Sequence, residues 1–387
     1  MSSTILLPQI LQVGGDASLA VGDVVKTLGC RSPLIITDSV MVQLGYIETL
    51  QSSLKDAGIE SAVFDQTVPE PTEESILAGV EMAKQGDFDC LIALGGGSPI
   101  DSAKAIGILA KYGGDMADYK FPRNVTEAGL PLIAIPTTAG TGSEMTRFTI
   151  ITDGETDEKM LCVGLGFLPQ AALVDYRLTL SLPPRVTADT GIDAMTHAIE
   201  AYVSKKANAY SDSQALAALR LIGPNLRAVY NDGSNEAARE AMMMGATLAG
   251  AAFSAASVAL VHGMSRPIGA HFHVPHGMSN AMLLPSVTEF SIPSAKSRYA
   301  TCARTMGVAA QTDGDEVATQ KLIEELHSIN DQCQVPTLAQ FGVDKKVYFD
   351  KLELMAQQAA ASGSPGNNPL VPSNEQMVKL YTDLWVD

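Results

Sequence analysis

FDCLIALGGGSPIDSAKAIGILAKYG, residues 88 to 113, runs from a continuous apolar stretch through Gly95, Gly96 and Gly97 into helix formers opened by Ser98 and Pro99. An apolar run without alternation is buried on both faces, as in a parallel strand covered by helices. Glycines between such a strand and a helix let backbone approach a phosphate, and the helix start offers unpaired amides and the positive dipole end. A pyrophosphate suits that turn. A tight strand-to-helix connection uses the same glycines without any ligand. The spacing is neither the dinucleotide GxGxxG nor a phosphate loop, since Lys104 lies too far along the helix.

The same alternation extends outward. SPLIITD (32–38) precedes a helix-like stretch near 40–57, ESAVFD (60–65) precedes EESILAGVEMAKQG, and PLIAIPTTAG (131–140) and AALVDY (171–176) follow as further buried strands. MSSTILLPQILQVGG lacks the basic start of a signal peptide and reads as a first strand. These segments predict an α/β domain over residues 1–185, a mostly parallel sheet with helices on both faces, binding its ligand beyond the carboxyl ends of the strands. After LPPRVTADTG the chain turns to long Ala-, Leu- and Met-rich segments without β-branched runs, which predicts an all-α domain over 186–387. Met242 to Met244 read as helix core, and SGSPGNNPLVPSN (362–374) as a loop before a last helix.

Composition narrows the function. A formal net charge of -17 argues against nucleic acid or an anionic membrane as partner, while leaving room for a small nucleotide held by backbone amides. No uninterrupted run of about twenty apolar residues occurs, so no membrane span is expected. The five cysteines are odd in number and contain no CxxC pair, which suits a reducing cytoplasm better than a disulfide framework.

Two loops complete a nucleotide site. Asp38, ending the strand SPLIITD, is placed to accept hydrogen bonds from an adenosine ribose and to repel a 2′-phosphate, favouring NAD over NADP; an aspartate there also serves as an ordinary turn former. IPTTAGTGSEMT (135–146) adds hydroxyls and glycines after another strand.

In the second half, His197, His262, His271, His273 and His276 are five of the six histidines. Asp193 and His197 lie four apart in GIDAMTHAIEAY, on one helical face. His262 and His276 bracket HGMSRPIGAHFHVPHG, where prolines and glycines are expected to break the helix and fold the chain back. One oxygen and up to three nitrogens suit Fe(II), Zn(II) or Mn(II). Alone, an Asp and a His one turn apart more often form a surface pair, but clustering of a scarce residue favours a metal. His327, in KLIEELHSIN, reads as a solvated or half-buried side chain.

Taken in order, GGGSPIDSAK, PTTAGTGSEMT, GIDAMTHAIEAY and HGMSRPIGAHFHVPHGMSNAMLLP resemble the motifs of the iron-dependent (group III) alcohol dehydrogenases over essentially the whole chain. The resemblance implies a dehydroquinate-synthase-like architecture, with a divalent metal, Fe(II) above all, in the cleft beside the nicotinamide. Metal ligands by resemblance are Asp193, His197, His262 and His276. Cofactor contacts are Asp38, Gly95, Gly96, Gly97, Ser98, Asp101, Thr137, Thr138, Thr141, Thr149 and Lys159. It implies a homodimer.

Two departures stand out. The family often has Asn in a PNPT turn where this chain has Glu70, whose charge makes NADP less favourable still. A relay histidine is common where this chain has Arg266, and arginine does not deprotonate at working pH. His271 or His273 then becomes the expected proton relay, or else water and the ribose hydroxyl; in extended HFHV only one of the two faces the metal. Arg266 either holds a substrate carboxylate or, as the preferred expectation, turns away to an acidic neighbour.

The expected reaction is hydride transfer between a metal-bound alkoxide and NAD, on a small primary alcohol, diol or hydroxy acid, or the reverse reduction of an aldehyde. A lyase of the dehydroquinate synthase kind shares the scaffold but uses another ligand set. A non-catalytic nucleotide-binding protein is the third reading, against which stands the retention of every ligand-type residue.

Overall fold

A computed structural model describes residues 3–154 and 158–386. They divide into two compact units, Ile5–Ser181 and a second running on from Leu182. The division falls slightly before the expected residue 186. Pro184 opens the next helix, a position where its fixed φ fits and its missing N–H costs nothing, so LPPR belongs to the helical unit.

Among the described residues eight strands lie in the first unit: β1 (Ile10–Val13), β2 (Pro33–Ile36), β3 (Ala62–Phe64), β4 (Cys90–Gly95), β5 (Leu132–Pro136), β6 (Phe148–Thr152), β7 (Lys159–Val163) and β8 (Ala171–Val174). Six form one sheet of order β1-β8-β5-β4-β2-β3, every pair parallel. Alternate residues pack to opposite faces: Leu34, Ile36, Leu91 and Ala93 join Ile76, Val80 and Ile106, while Ile35, Ile92, Leu94 and Ile133 join Val21, Leu50 and Leu54. Helices cover both sides, which is why these strands carry no polar alternation.

Two details differ from expectation. The helix near 40–57 is two, Ser39–Gln43 and Tyr46–Asp56, parted by Gly45 at φ 76°, a left-handed geometry that glycine adopts readily. β6 and β7 form an antiparallel ribbon that the sequence pattern did not announce.

β2, β4 and β5 are neighbours, so their carboxyl ends bring Asp38, Gly95 to Gly97 and Thr137 to one edge. Thr37 Oγ1 donates to the Leu94 carbonyl at 2.8 Å and the Thr137 amide to the Gly95 carbonyl at 2.9 Å, fixing these ends against each other.

The second unit is helical throughout its described length. Pro184–Val203 runs through its middle and packs against Ala209–Asn231, Glu236–Ala256 and His276–Thr305. Met242 and Met243 are core residues of Glu236–Ala256. Pro267 does not end the Leu260–Phe272 helix; the expected fold-back comes later, at His273 to Pro275. Gly277 decides how closely the last of these helices approaches the central one. A Cβ there would lie 2.4 Å from the Asp189 carbonyl oxygen, so only glycine permits this contact beside His276. All five cysteines are free and buried, and no single helix is long and apolar enough to cross a membrane among the described residues.

Candidate metal centre and nucleotide cradle

Three helices converge on Asp193. The buried Asp193 and His197 lie one turn apart on Pro184–Val203, His262 enters from Leu260–Phe272, and His276 opens His276–Thr305. Asp193 Oδ1 is 3.4 Å from His262 Nε2 and 3.8 Å from His276 Nε2, and Asp193 Oδ2 is 3.9 Å from His197 Nδ1. The rings of His197 and His262 stack with centroids 4.4 Å apart, and Phe253 covers the other face of His197 at 4.2 Å.

Electrostatics fit a cation. Burial alone would push the Asp193 carboxyl up, but His197, His262 and His276 outweigh it and hold it far below the usual carboxylate range. Burial likewise opposes charge on His262, yet the Glu200 and Asp193 carboxylates lift its pKa to about 9. A divalent ion held by these ligand atoms would replace that proton. One electropositive group already shows the site's demand: the Asn280 amide nitrogen lies 2.6 Å from Asp193 Oδ1 and 3.2 Å from both His262 Nε2 and His276 Nε2. Its own Oδ1 is buried without a hydrogen-bond partner. That donor set, a carboxylate with imidazole nitrogens, is one that binds Fe(II) or Zn(II).

Two residues of this centre escaped sequence reasoning. Glu200 accepts from His262 Nδ1 at 2.7 Å and from the Ala259 and Val261 amides at 2.8 and 2.6 Å. It fixes the ring through Nδ1 with Nε2 turned toward Asp193, the role of a carboxylate behind a metal-bound histidine. Its signal was faint: three residues after His197, on the same helix. Asn280 follows His276 by one turn, and that spacing was its only mark. Glu200→Gln should lower divalent-metal affinity by about 10–100-fold while the protein stays folded, read by chelator competition and circular dichroism.

His271 and His273 are placed differently from the expected extended alternation. Phe272 ends the helix, His273 takes a left-handed conformation at φ 54° and is exposed, and His271 Nε2 meets Gln358 Oε1 at 2.8 Å. His327 is exposed. Arg266 has not turned to an acidic neighbour: its one hydrogen bond among the described residues runs from Nη1 to Ser364 Oγ at 3.1 Å.

The nucleotide candidates group in the first unit. Gly96 caps the Gly97–Tyr112 helix with no side-chain hydrogen bond, leaving its first amides open to an anion. Gly95 has φ 151° and a Cβ there would lie 2.5 Å from Pro99 Cγ; one on Gly97 would lie 2.9 Å from Thr141 Cγ2. Thr138 Oγ1, which such a Cβ on Gly96 would meet at 3.6 Å, is buried without a partner. An open helix start beside an unsatisfied hydroxyl fits a phosphate-bearing cofactor.

The other contacts divide. Asp38 caps Ser39–Gln43 through Oδ1, accepting from the Val40 and Met41 amides at 2.9 and 3.1 Å, so it is a turn former as well as a ribose candidate. Asp101 and Thr149 are tied into the ribbon: Asp101 accepts from Ser143 Oγ at 2.7 Å and the Ile150 amide at 3.1 Å, and Thr149 Oγ1 donates to the Asp101 carbonyl at 2.9 Å. Thr137 is buried at the end of β5. Lys104, which burial draws down to about 8 against Asp101 and Glu144, donates to Ser143, Thr146 and Phe148 and serves as an internal tie. Glu70 does more than add charge. It pairs with Lys159 at 3.0 Å, and its amide donates to Ser98 Oγ at 3.3 Å beside the helix start.

A further group, Cys30, Asp89 and Cys90, offers ligand atoms close together, but both Asp89 oxygens already accept from the Arg31 and Ser32 amides.

Comparison with known proteins bears on both units. Residues 8–176 match the family model described as iron-containing alcohol dehydrogenase, and residues 187–385 its C-terminal counterpart, the Fe-containing alcohol dehydrogenase family, C-terminal. Lactaldehyde reductase of Escherichia coli (strain K12) is 35% identical over 100% of both chains. The crystal structure of a 1,3-propanediol oxidoreductase superposes with a TM-score of 0.95 at 33% identity over 100% of both chains. Sulfoacetaldehyde reductase of Bifidobacterium kashiwanohense, solved in complex with NAD+, gives a TM-score of 0.89 at 26% identity over 99% of each.

Proposed function

We propose, from the premise that this chain belongs to the iron-containing alcohol dehydrogenase family, that it is an NAD(H)-dependent, Fe(II)-loaded reductase of short-chain aldehydes and dehydrogenase of their alcohols. The carrying observation is the grouping of Asp193, His262 and His276, whose ligand atoms lie within 4.8 Å of one another, with His197 Nδ1 3.9 Å from Asp193 and Glu200 behind His262. When bound, the ion polarises the substrate oxygen and the nicotinamide carries the hydride.

The chain's own residues do the rest. Asp193 and the three imidazoles would hold the ion; Glu200 orients the His262 ring and Gly277 sets the approach of His276. Gly96, Gly97 and Ser98 offer amides to the pyrophosphate, with Thr138 and Thr141 alongside, and the Asp38 carboxylate meets the ribose. The proton needs a route other than Arg266. Because His273 is exposed and His271 is engaged by Gln358, we favour water and the ribose hydroxyl, with His271 as the alternative.

Cofactor choice follows from Asp38 and from Glu70, which occupies Lys159. Glu70→Asn releases that lysine, so NADPH affinity should rise by about fivefold, the factor that ~1 kcal/mol gives, with NADH gaining less. Fluorescence titration of both cofactors checks it; equal or no gain would remove Lys159 from the nucleotide site.

We place the enzyme in the cytosol on its five free, buried cysteines. A homodimer finds support in the sheet edge at β1, where Leu11 and Val13 are exposed. Turnover of a panel of aldehydes with NADH and NADPH, on protein loaded with Fe(II), tests the proposal. Reduction of at least one short aldehyde with NADH is expected, and inactivity across the panel would refute it.

A further inference from the structure

Arg266 follows His262 by one turn of the same helix, so the two side chains share a face. Unlike Arg185, Arg227 and Arg304, which share a buried unpartnered Nε but each pair with a carboxylate, its guanidinium has no acidic partner among the described residues. Nε is buried without a hydrogen-bond partner, Nη1 donates to Ser364 Oγ, and among the described residues no carboxylate forms an ion pair with it. Burial opposes its charge, and the one opposing influence is Glu200.

Glu200, however, is committed elsewhere. Both its oxygens accept hydrogen bonds, from the Ala259 and Val261 amides and His262 Nδ1. With a divalent ion in place, the two carboxylates of the centre, Asp193 and Glu200, match its charge. Arg266 is then a largely buried cation without a counter-ion, a costly state unless an anion arrives. A planar guanidinium with unsatisfied N–H donors fits a carboxylate bidentately.

We infer that Arg266 anchors the carboxylate of the substrate, so that the physiological pair is a short-chain aldehyde acid and its hydroxy acid. This rests on the reading of the Asp193 cluster as the reaction centre. Arg266 and His262 are four residues, about 6 Å of helix rise, apart, which suits a substrate with a short carbon chain between carboxylate and aldehyde. In the reduction, hydride from NADH adds to the aldehyde carbon, the carbonyl π pair moves to oxygen, and a proton from water completes the hydroxyl. NAD+ leaves, and the carboxylate is unchanged.

The test compares 4-oxobutanoate with butanal, equal in chain length and differing in the carboxylate, as substrates of the Fe(II)-loaded enzyme with NADH. Wild type should prefer 4-oxobutanoate in kcat/KM. Arg266→Met should lose about 30-fold on 4-oxobutanoate and less than about threefold on butanal, the span expected for a charged hydrogen-bonded pair. Arg266→Lys should retain part of the preference.

Butanoate supplies a readout without turnover: calorimetry should show it binding the NAD+-loaded wild type and binding Arg266→Met at least about tenfold more weakly. Equal losses on both substrates, or wild type that turns over butanal but neither prefers 4-oxobutanoate nor binds butanoate, would overturn the anchor and leave the dehydrogenase reading standing. Wild type inactive on both aldehydes while it still binds butanoate through Arg266 would sink the catalytic reading instead. Should Arg266→Met not fold, Arg266→Lys and the wild-type butanoate titration carry the same decision.

Discussion

Asp193→Asn should strip the centre of its metal and cut aldehyde reduction by about 1,000-fold or more, the rate equivalent of ~4 kcal/mol of lost charge stabilisation. The substitution is nearly isosteric, so the buried helix Pro184–Val203 keeps its packing. What changes is the chemistry at the convergence point. Asp193 is the one anionic member among His197, His262 and His276, and all three distances that define the cluster are measured to its oxygens. An amide in its place removes a full negative charge and turns one donor toward Asn280, which already donates there. Metal content by atomic spectroscopy should fall well below that of wild type, with an unchanged circular dichroism spectrum. Full metal content with full activity would dismiss Asp193 as a ligand.

Gly97→Val should weaken NADH binding by about 100-fold or more, roughly the ~3 kcal/mol that separates a filled anion cradle from an obstructed one. A Cβ at this position already meets Thr141 Cγ2 at 2.9 Å, and the two methyl groups of valine extend into the space before the helix start. Either the loop holding Thr141 moves or the open amides are covered. Both outcomes damage phosphate binding, because the amide geometry and the dipole act only within the first turn. Metal binding, seated in the other unit, should be untouched. Fluorescence titration of NADH against Gly97→Val, beside its metal content, separates the two; undiminished NADH affinity would move the cofactor elsewhere.

The parallel sheet was legible because its inner strands β2, β4, β5 and β8 are buried on both faces and therefore read as uninterrupted apolar runs. The β6–β7 ribbon was not. It buries alternate residues, yet Phe148 and Ile150 occupy the half-exposed side, so polar alternation does not mark it. Pro267 misled in the opposite sense, since it reads as a helix breaker yet sits inside Leu260–Phe272, four residues after Gly263, whose lack of a side chain also admits Pro365 at that point.

Within the metal centre, the histidines stood out by scarcity and Asp193 by its spacing to His197. Glu200 and Asn280 did not, because nothing local distinguishes a helical Glu or Asn that meets its partner across the fold. Glu200 reaches His262 from 62 residues away in sequence. Arg266 was visible as a departure from a familiar motif, but only the packing shows that it lacks an acidic partner. Glu70 was read as an added charge, and only the structure reveals its pairing with Lys159.

Metal dependence is the centre of this account, and one measurement addresses it most directly: NADH consumption with a short aldehyde, by protein stripped with a chelator and then titrated with Fe(II). Activity should be absent in the stripped protein and should return in proportion to bound ion, levelling off at one ion per chain. Activity that survives stripping, or that fails to return once one ion per chain is bound, would contradict it.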